Sequence, residues 1–291
     1  MTNESYYQRK APPVPARPRL AGAVDAEIGV VGGGLAGLAT VLSLAERGHS
    51  AVLLEGQTIG AGASGRNGGM VSAGFAAPTR LLTRAVGPTA ARTLMQLSRE
   101  AMVLMRSRIA RYAIACEPVS GVVIASWFDD AAELAREVAA ANDELGMRLE
   151  FWPRERLQAA YPSPRYWDGM FDPEGFHLDP FALCRGYAAA AEGQGARLFE
   201  HSPAVAVRRV TQGWRVATPG GSLTVERLVL CQSAYPPRLL PALARATLPV
   251  FTYIIVTEPL TGRHAEVIRA PFAVYDNRFA TGYYRLLPDG R

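Results

Sequence analysis

Apolar and polar positions fall in blocks whose period shifts between two and three to four, the signature of a chain that mixes strands with helices. A short apolar run, Ala26–Val31, reads as a strand. The block after it puts Leu38, Val41, Leu42 and Ala45 on one face of a helix from about Leu35 to Arg47, with Gly48 placed to end it. Ser50–Leu54 reads as a second buried strand and completes a β-α-β unit of about thirty residues.

Between Pro88 and Tyr112, Leu94, Leu97, Ala101, Leu104, Met105 and Tyr112 recur at helical spacing and predict one long amphipathic helix. Val122–Ala125, Leu149–Trp152 and Trp167–Phe171 read as strands, the first two separated by a helix over Asp129–Leu145 that Asp129 or Asp130 can cap. Asp179-Pro180 opens a further helix running to about Glu192. A β-meander follows over Ala204–Val207, Trp214–Thr218, Leu223–Val225 and Leu228–Leu230, turning at Gly213, Gly220 and Gly221. From Leu248 the pattern is strand-rich again, with Phe251–Val256 the strongest run. Residues 1–24, with Pro12, Pro13, Pro15 and Pro18 among polar and basic neighbours, read as an arm.

Composition narrows the function classes. The chain has 291 residues, 49% of them hydrophobic and 20% charged, as in ordinary globular proteins. The net charge of +5 is spread without a block of like charges, so no nucleic-acid surface is expected. Lys10 is the single lysine, which argues against Schiff-base chemistry. Cys116, Cys184 and Cys231 are too scattered for a disulfide framework or a metal site, so a reducing cytoplasm is expected and no metal. The uncharged run Ile28–Ala45, with basic residues upstream, could pass for a signal-peptide core or a short membrane span, but Gly32, Gly33, Gly34 and Gly37 interrupt it and Asp25 and Glu27 precede it, so no membrane association is expected.

Those glycines carry the chemistry. Gly32-x-Gly34-x-x-Gly37, together with Leu35 and Ala36, lies between a predicted strand and a predicted helix, where backbone N–H groups can meet a pyrophosphate at the helix N-terminus. Glu55 ends the second strand, where a carboxylate can accept hydrogen bonds from ribose hydroxyls. These features fit FAD or NAD alike. Directly after comes Gly60-Ala61-Gly62-Ala63-Ser64-Gly65-Arg66-Asn67-Gly68-Gly69-Met70, in which Arg66 can neutralise phosphate and Ser64 and Asn67 can donate hydrogen bonds.

In the order VVGGGLAGLA, LLE and GASGRNGG, the chain resembles the D-amino-acid-oxidase-like flavoproteins, most closely their gamma-glutamylputrescine oxidoreductase branch. The resemblance takes in Ser5-Tyr6-Tyr7, Gly175–Pro180, Glu200–Tyr235, Thr252-Tyr253, Thr257–Leu260 and Tyr283-Tyr284-Arg285. It implies an α/β fold in which a Rossmann-type FAD-binding domain (26–114 and 176–235) interleaves with an α+β substrate domain (115–175 and 236–291) behind an arm, 1–25. It also implies adenine near Ala204, non-covalent FAD, a small-molecule amine as substrate and molecular oxygen as acceptor. Tyr253, Tyr284 and Arg285 are candidates for the pocket wall or ordinary strand residues, and the four histidines read as surface or packing residues. No catalytic residue declares itself. The chain stops where the family continues into a further strand and glycine-rich helix start, so a C-terminal part of the ring-side site is expected to be missing, which gives a truncated non-catalytic FAD-binding fragment as one alternative; the same β-α-β unit gives an NAD-dependent dehydrogenase as another.

Overall fold

The structure is a computed structural model that describes residues 4–75, 79–233 and 239–291. Tyr235, where the second nucleotide-binding segment is expected to end, lies outside the described residues. The chain divides into two compact units, one of Met1–Asn67, Tyr112–Cys116 and Pro180–Ile254, the other of Gly68–Arg111, Glu117–Asp179 and Ile255–Arg291.

The first unit begins with α1 (Tyr6–Lys10), closed by a capping box in which Ser5 Oγ accepts from Gln8 N and Gln8 Oε1 accepts from Ser5 N. Tyr7 and Leu20 are buried, so the segment read as an arm packs onto the unit. Its polar composition misled because a few anchors, set in a proline-rich stretch, suffice to fix it. Next come β1 (Gly22–Val31), α2 (Leu35–Ala45) and β2 (Ala51–Leu54). β1 starts four residues earlier than its apolar run because Gly22–Ala26 pairs in parallel with Gly221–Val225. Leu38, Val41, Leu42 and Ala45 are all buried, and Gly48 takes a left-handed φ of 81°.

The second unit opens with β3 (Met70–Val71), α3 (Thr79–Val86) and α4 (Pro88–Arg111). On α4 the buried residues include Ala91, Met95, Met102 and Ile109, whereas Leu97 and Leu104 are exposed. The apolar stripe read from the sequence is thus out of phase with the packed one, because this helix carries apolar side chains on more than one face. β4 (Val119–Ala125), α5 (Ala131–Leu145), β5 (Glu150–Trp152), α6 (Arg154–Ala160) and β6 (Gly169–His177) follow. Asp130 stands at the N-cap of α5 but makes no side-chain cap; its carboxylate accepts from Ser126 Oγ instead. Trp152, Leu157, Tyr161, Tyr166 and Val274 form the core beside this sheet.

Back in the first unit, α7 (Pro180–Gly193) packs on α2, and β7 (Arg197–Phe199), β8 (Ala206–Val210), β9 (Gly213–Thr218) and β10 (Gly221–Leu230) complete a six-stranded sheet of order β7-β2-β1-β10-β9-β8. The two last meander strands of the sequence reading are one strand, β10, since its parallel register with β1 runs through to Leu230. α8 (Pro241–Ala246) is the last element of this unit. The run Phe251–Val256 forms no strand: no strand pairs with it among the described residues, and Phe251 and Ile255 are exposed. β-branched and aromatic residues favour a strand only where a neighbour completes the ladder. β11 (Ala273–Asp276) and β12 (Tyr283–Tyr284) close the second sheet, β12-β11-β4-β6-β3 with β5 beside β6.

His177 ends β6 fully buried. Its Nε2 lies 2.9 Å from the Pro271 carbonyl and its Nδ1 3.2 Å from a guanidinium nitrogen of Arg285, so the tautomer that satisfies both carries its proton on Nε2 and accepts at Nδ1. Burial, and then the Arg285 charge, lower its pKa below the ordinary histidine value, against the Pro271 carbonyl. An unfolded chain therefore takes up a proton here at a pH where the folded chain does not, and folding loses stability as pH falls. We expect the unfolding free energy to fall from about pH 6.5 downward, by up to ~1.4 kcal/mol per pH unit from this group, and the melting temperature with it. His177→Gln, which keeps a donor and an acceptor but cannot titrate, should flatten that part of the profile; identical pH profiles for the two proteins would assign the acid sensitivity elsewhere.

Candidate cofactor site

Parallel pairing of β1 with β2 and β10 delivers the carboxyl ends of three strands to one edge, and the first glycine follows immediately. Gly32 has a φ of 113°, and a Cβ there would fall 2.6 Å from the Cys231 carbonyl oxygen. At Gly37 a Cβ would overlap the Gly32 carbonyl, so α2 can lie this close to β1 only with hydrogen in that place. The turn is therefore tight and leaves the first turn of α2, with Gly34, Leu35 and Ala36, at the strand ends. First-turn N–H groups have no acceptor within their own helix and favour an anion.

Two of the amides here are already tied. Gly33 N donates to Glu55 Oε2 at 2.6 Å, and Leu35 N donates to Ser64 Oγ at 2.9 Å. Ser64 thus supplies the cap that Gly34, the N-cap residue, cannot. Glu55 follows β2 directly, and its other oxygen accepts from Gln57 N at 2.7 Å. One backbone bond on each oxygen fixes the carboxylate and leaves lone pairs on both for further donors. A short 3-10 turn, Ala63–Gly65, carries Ser64 and the buried Gly65.

Arg66 and Asn67, expected to reach a phosphate, bind the loop itself. Arg66 Nε donates to the Ala61 carbonyl at 2.7 Å, and Asn67 Nδ2 to the Ala63 and Ser64 carbonyls at 3.1 and 2.9 Å. Both therefore shape the loop that would face a phosphate. Ala204, between β7 and β8, is half-buried against the cluster that includes Leu20, Val31 and Leu54.

Gly68, Gly69 and Met70 belong to the second unit. Arg285 donates from Nε to the Gly68 carbonyl at 2.7 Å and from Nη2 to the Leu178 carbonyl at 2.9 Å, besides its contact with His177. The Gly69 carbonyl accepts from Leu178 N at 2.9 Å, and Met70 pairs with His177 across β3 and β6. Arg285 accordingly clamps backbone. Tyr284, beside it on β12, stacks edge-on with Tyr161 at 6.2 Å, and burial pushes its hydroxyl pKa up, further aided by a hydrogen bond with Tyr166. Tyr253 is 86% exposed and lies in no strand, and it belongs to the first unit, whereas Tyr284 and Arg285 belong to the second.

Residues that the sequence reading passed over hold the site from behind. Glu200 is buried, and its Oε1 accepts from Ile59 N at 2.7 Å. Ser202 N donates to the Glu55 carbonyl at 2.8 Å. Neither lies in a motif; an acid directly after a strand is the one local signal for Glu200.

The geometry fits the phosphate and ribose of a dinucleotide: a cradle that a Cβ would fill, a first helical turn and an anchored acid. Comparison with known proteins gives the family. Residues 27–291 match the family described as DAO, FAD dependent oxidoreductase. The chain is 32% identical over 276 residues to a probable oxidoreductase OrdL of Haemophilus influenzae, which covers 91% of this chain and 63% of that protein. It is 31% identical over 290 residues to the gamma-glutamylputrescine oxidoreductase of Escherichia coli, covering 99% of this chain and 68% of that one. It thus spans about two thirds of the length of these relatives. Among solved structures, glycine oxidase from Geobacillus kaustophilus aligns with a TM-score of 0.59 at 24% identity over 74% of this chain and 57% of that one, and L-proline dehydrogenase from P. horikoshii with 0.67 at 17% over 93% and 69%, which shows a common fold. With the family match running from β1 to the last residue and identity shared along nearly the whole chain, this protein belongs to the DAO family of FAD-dependent oxidoreductases.

Proposed function

We propose that the protein takes part in oxidation of the C–N bond of a small amine of the gamma-glutamylputrescine or amino-acid type. The observation that carries this reading is the pairing of the closed Gly32–Gly37 turn with the doubly anchored Glu55, in a chain 31% identical to a gamma-glutamylputrescine oxidoreductase. When bound, FAD supplies a hydride acceptor for the carbon next to the amine nitrogen, and molecular oxygen is the terminal acceptor in this reading. The chain's own residues bind and orient. The first turn of α2 faces the pyrophosphate, Glu55 takes ribose hydroxyls and disfavours a 2′-phosphate by charge, and Ser64, Arg66 and Asn67 hold the loop in shape. Ala204 lies near the adenine. Gly68, Gly69 and Met70, whose backbone Arg285 clamps, are the further cofactor-binding residues of this reading, and Tyr284 and Arg285 its substrate-pocket residues. The three cysteines form no disulfide, which suits the cytoplasm as the place of action.

Cofactor binding is tested by titrating purified protein with FAD and with NAD. FAD is expected to bind the tighter, and to come away on denaturation. Arg66→Ala, which removes the donor that the Ala61 carbonyl accepts from, should weaken FAD binding while the protein stays folded; an unchanged affinity would leave the loop's shape independent of Arg66.

Substrate class is tested by peroxide release over a panel of primary and secondary amines, amino acids and 2-hydroxy acids. Turnover is expected on amines, highest with a carboxylate-bearing polyamine conjugate. Turnover confined to hydroxy acids would refute the C–N reading.

A further inference from the structure

The segment before β1 is wired to the acid that faces the ribose. Glu200 N donates to the Pro18 carbonyl at 3.1 Å, and Leu20 N donates to Ser202 Oγ at 2.8 Å, which in turn donates to the Glu200 carbonyl at 2.8 Å. Residues 18–20 thus lie along one side of 200–202. On the other side, Glu55 N donates to the Phe199 carbonyl at 2.9 Å, His201 N to the Gln57 carbonyl at 2.7 Å, and Ser202 N to the Glu55 carbonyl at 2.8 Å. The stretch 199–202 is a splint between the N-terminal strap and the loop that begins with Glu55.

A charge completes it. Arg17 forks onto both carboxylate oxygens of Glu192 at 2.8 and 2.9 Å and places Nη1 3.6 Å from Glu200 Oε1, the same oxygen that receives Ile59 N. The side chains of Arg17 and Glu200 are only 13% and 9% exposed, so neither is a solvated surface group. Ile59 is itself buried, the next residue, Gly60, donates to the Gly33 carbonyl at 3.0 Å, and Gly33 donates to Glu55. The path from Arg17 to the ribose acid is continuous, and every link lies within the first unit.

We propose that Glu200 is a positioning residue for nucleotide recognition, and that the N-terminal strap, through Arg17, sets how well Glu55 is aimed at the ribose. This rests on the assignment of Glu55 to the ribose made above. A buried acid that receives a backbone N–H and a guanidinium at once fixes the turn 56–60 by direction as well as by distance. Without it, Glu55 keeps its place after β2 but loses the loop that holds Gln57 and Gly33 against its two oxygens.

The test uses the full chain and two probes, ADP and 2′-deoxy-ADP, whose affinities are measured by calorimetry well below the melting temperature. Wild type should prefer ADP by about tenfold, the worth of one hydrogen bond to a charged group. Glu200→Ala should bring that preference close to one. Glu200→Gln, which keeps an oxygen for Ile59 N but loses the charge that Arg17 meets, and Arg17→Met should each reduce it only in part. Adding Glu200→Gln to Arg17→Met should change nothing further. A general loss of stability would weaken both nucleotides alike and leave their ratio where it was. An unchanged ratio in Glu200→Ala and Arg17→Met, beside a clear preference in wild type, overturns the proposal, as do additive effects in the double variant. No preference in wild type overturns the ribose assignment itself and the proposal with it.

Discussion

The bond from Gly33 N to Glu55 ties two parts of the chain 22 residues apart at the one place where β1 and β2 end together. Three other features depend on it. It fixes the direction in which the chain leaves β1, which requires Gly32 at a φ of 113°. It leaves α2 to start two residues later, at Leu35, so close to the strand that only glycine serves at position 37. And it occupies one Glu55 oxygen with backbone while Gln57 N occupies the other, which turns a flexible acid into an oriented acceptor. A site for a dinucleotide here is a consequence of how the strands end rather than an addition to them.

Much of this was legible in the sequence because the information is local. The β1–α2–β2 unit shows a strand period, a helix period and the loop glycines Gly32, Gly33, Gly34 and Gly37 within about thirty residues, and each predicts the same turn. Glu55 follows from spacing alone. Other features depend on partners far along the chain. The α4 stripe was misjudged because Leu97 and Leu104 repeat at the same interval as Met95 and Met102, and periodicity cannot say which set is buried; Met95 packs in a cluster with Leu145, Ala73 and Leu82. β10 looked like two strands because Glu226 and Arg227 interrupt its apolar run; its register with β1 continues through them, and Arg227 reaches Glu27 on the neighbouring strand at 3.1 Å. Phe251–Val256 has the composition of a strand and no ladder to join.

Within the candidate site the split is similar. The glycines and Glu55 stand where their pattern put them in the turn, but the bonding of Ser64 and Arg66 was not readable, since each was expected to serve a ligand and each is bonded to backbone; Arg285, read as pocket wall or ordinary strand residue, is bonded to backbone too. A polar side chain near a phosphate loop has two competing calls on it. Backbone carbonyls and amides that are half-buried in a glycine-rich turn must be satisfied, and no side chain of a glycine can do it.

That competition gives the near-absence of lysine a physical reading. The places where this fold turns sharply are held by cations that meet several oxygens at once. Arg285 meets two carbonyls and a histidine. Arg92 meets the Glu144 and Asp143 carbonyls at 2.7 and 2.9 Å, the unpaired end of α5. Arg99 meets both oxygens of Glu174 at 2.8 Å and the Gly146 carbonyl just beyond that same helix. A guanidinium presents its donors in a rigid plane and loses little further freedom with each added bond; an ammonium on a flexible stem would have to choose. Where helix ends and glycine turns crowd several carbonyls into one place, arginine is the cation whose shape matches the need; the single lysine, Lys10, stands in the exposed last turn of α1 with its ammonium 5.2 Å from the Tyr6 ring centroid.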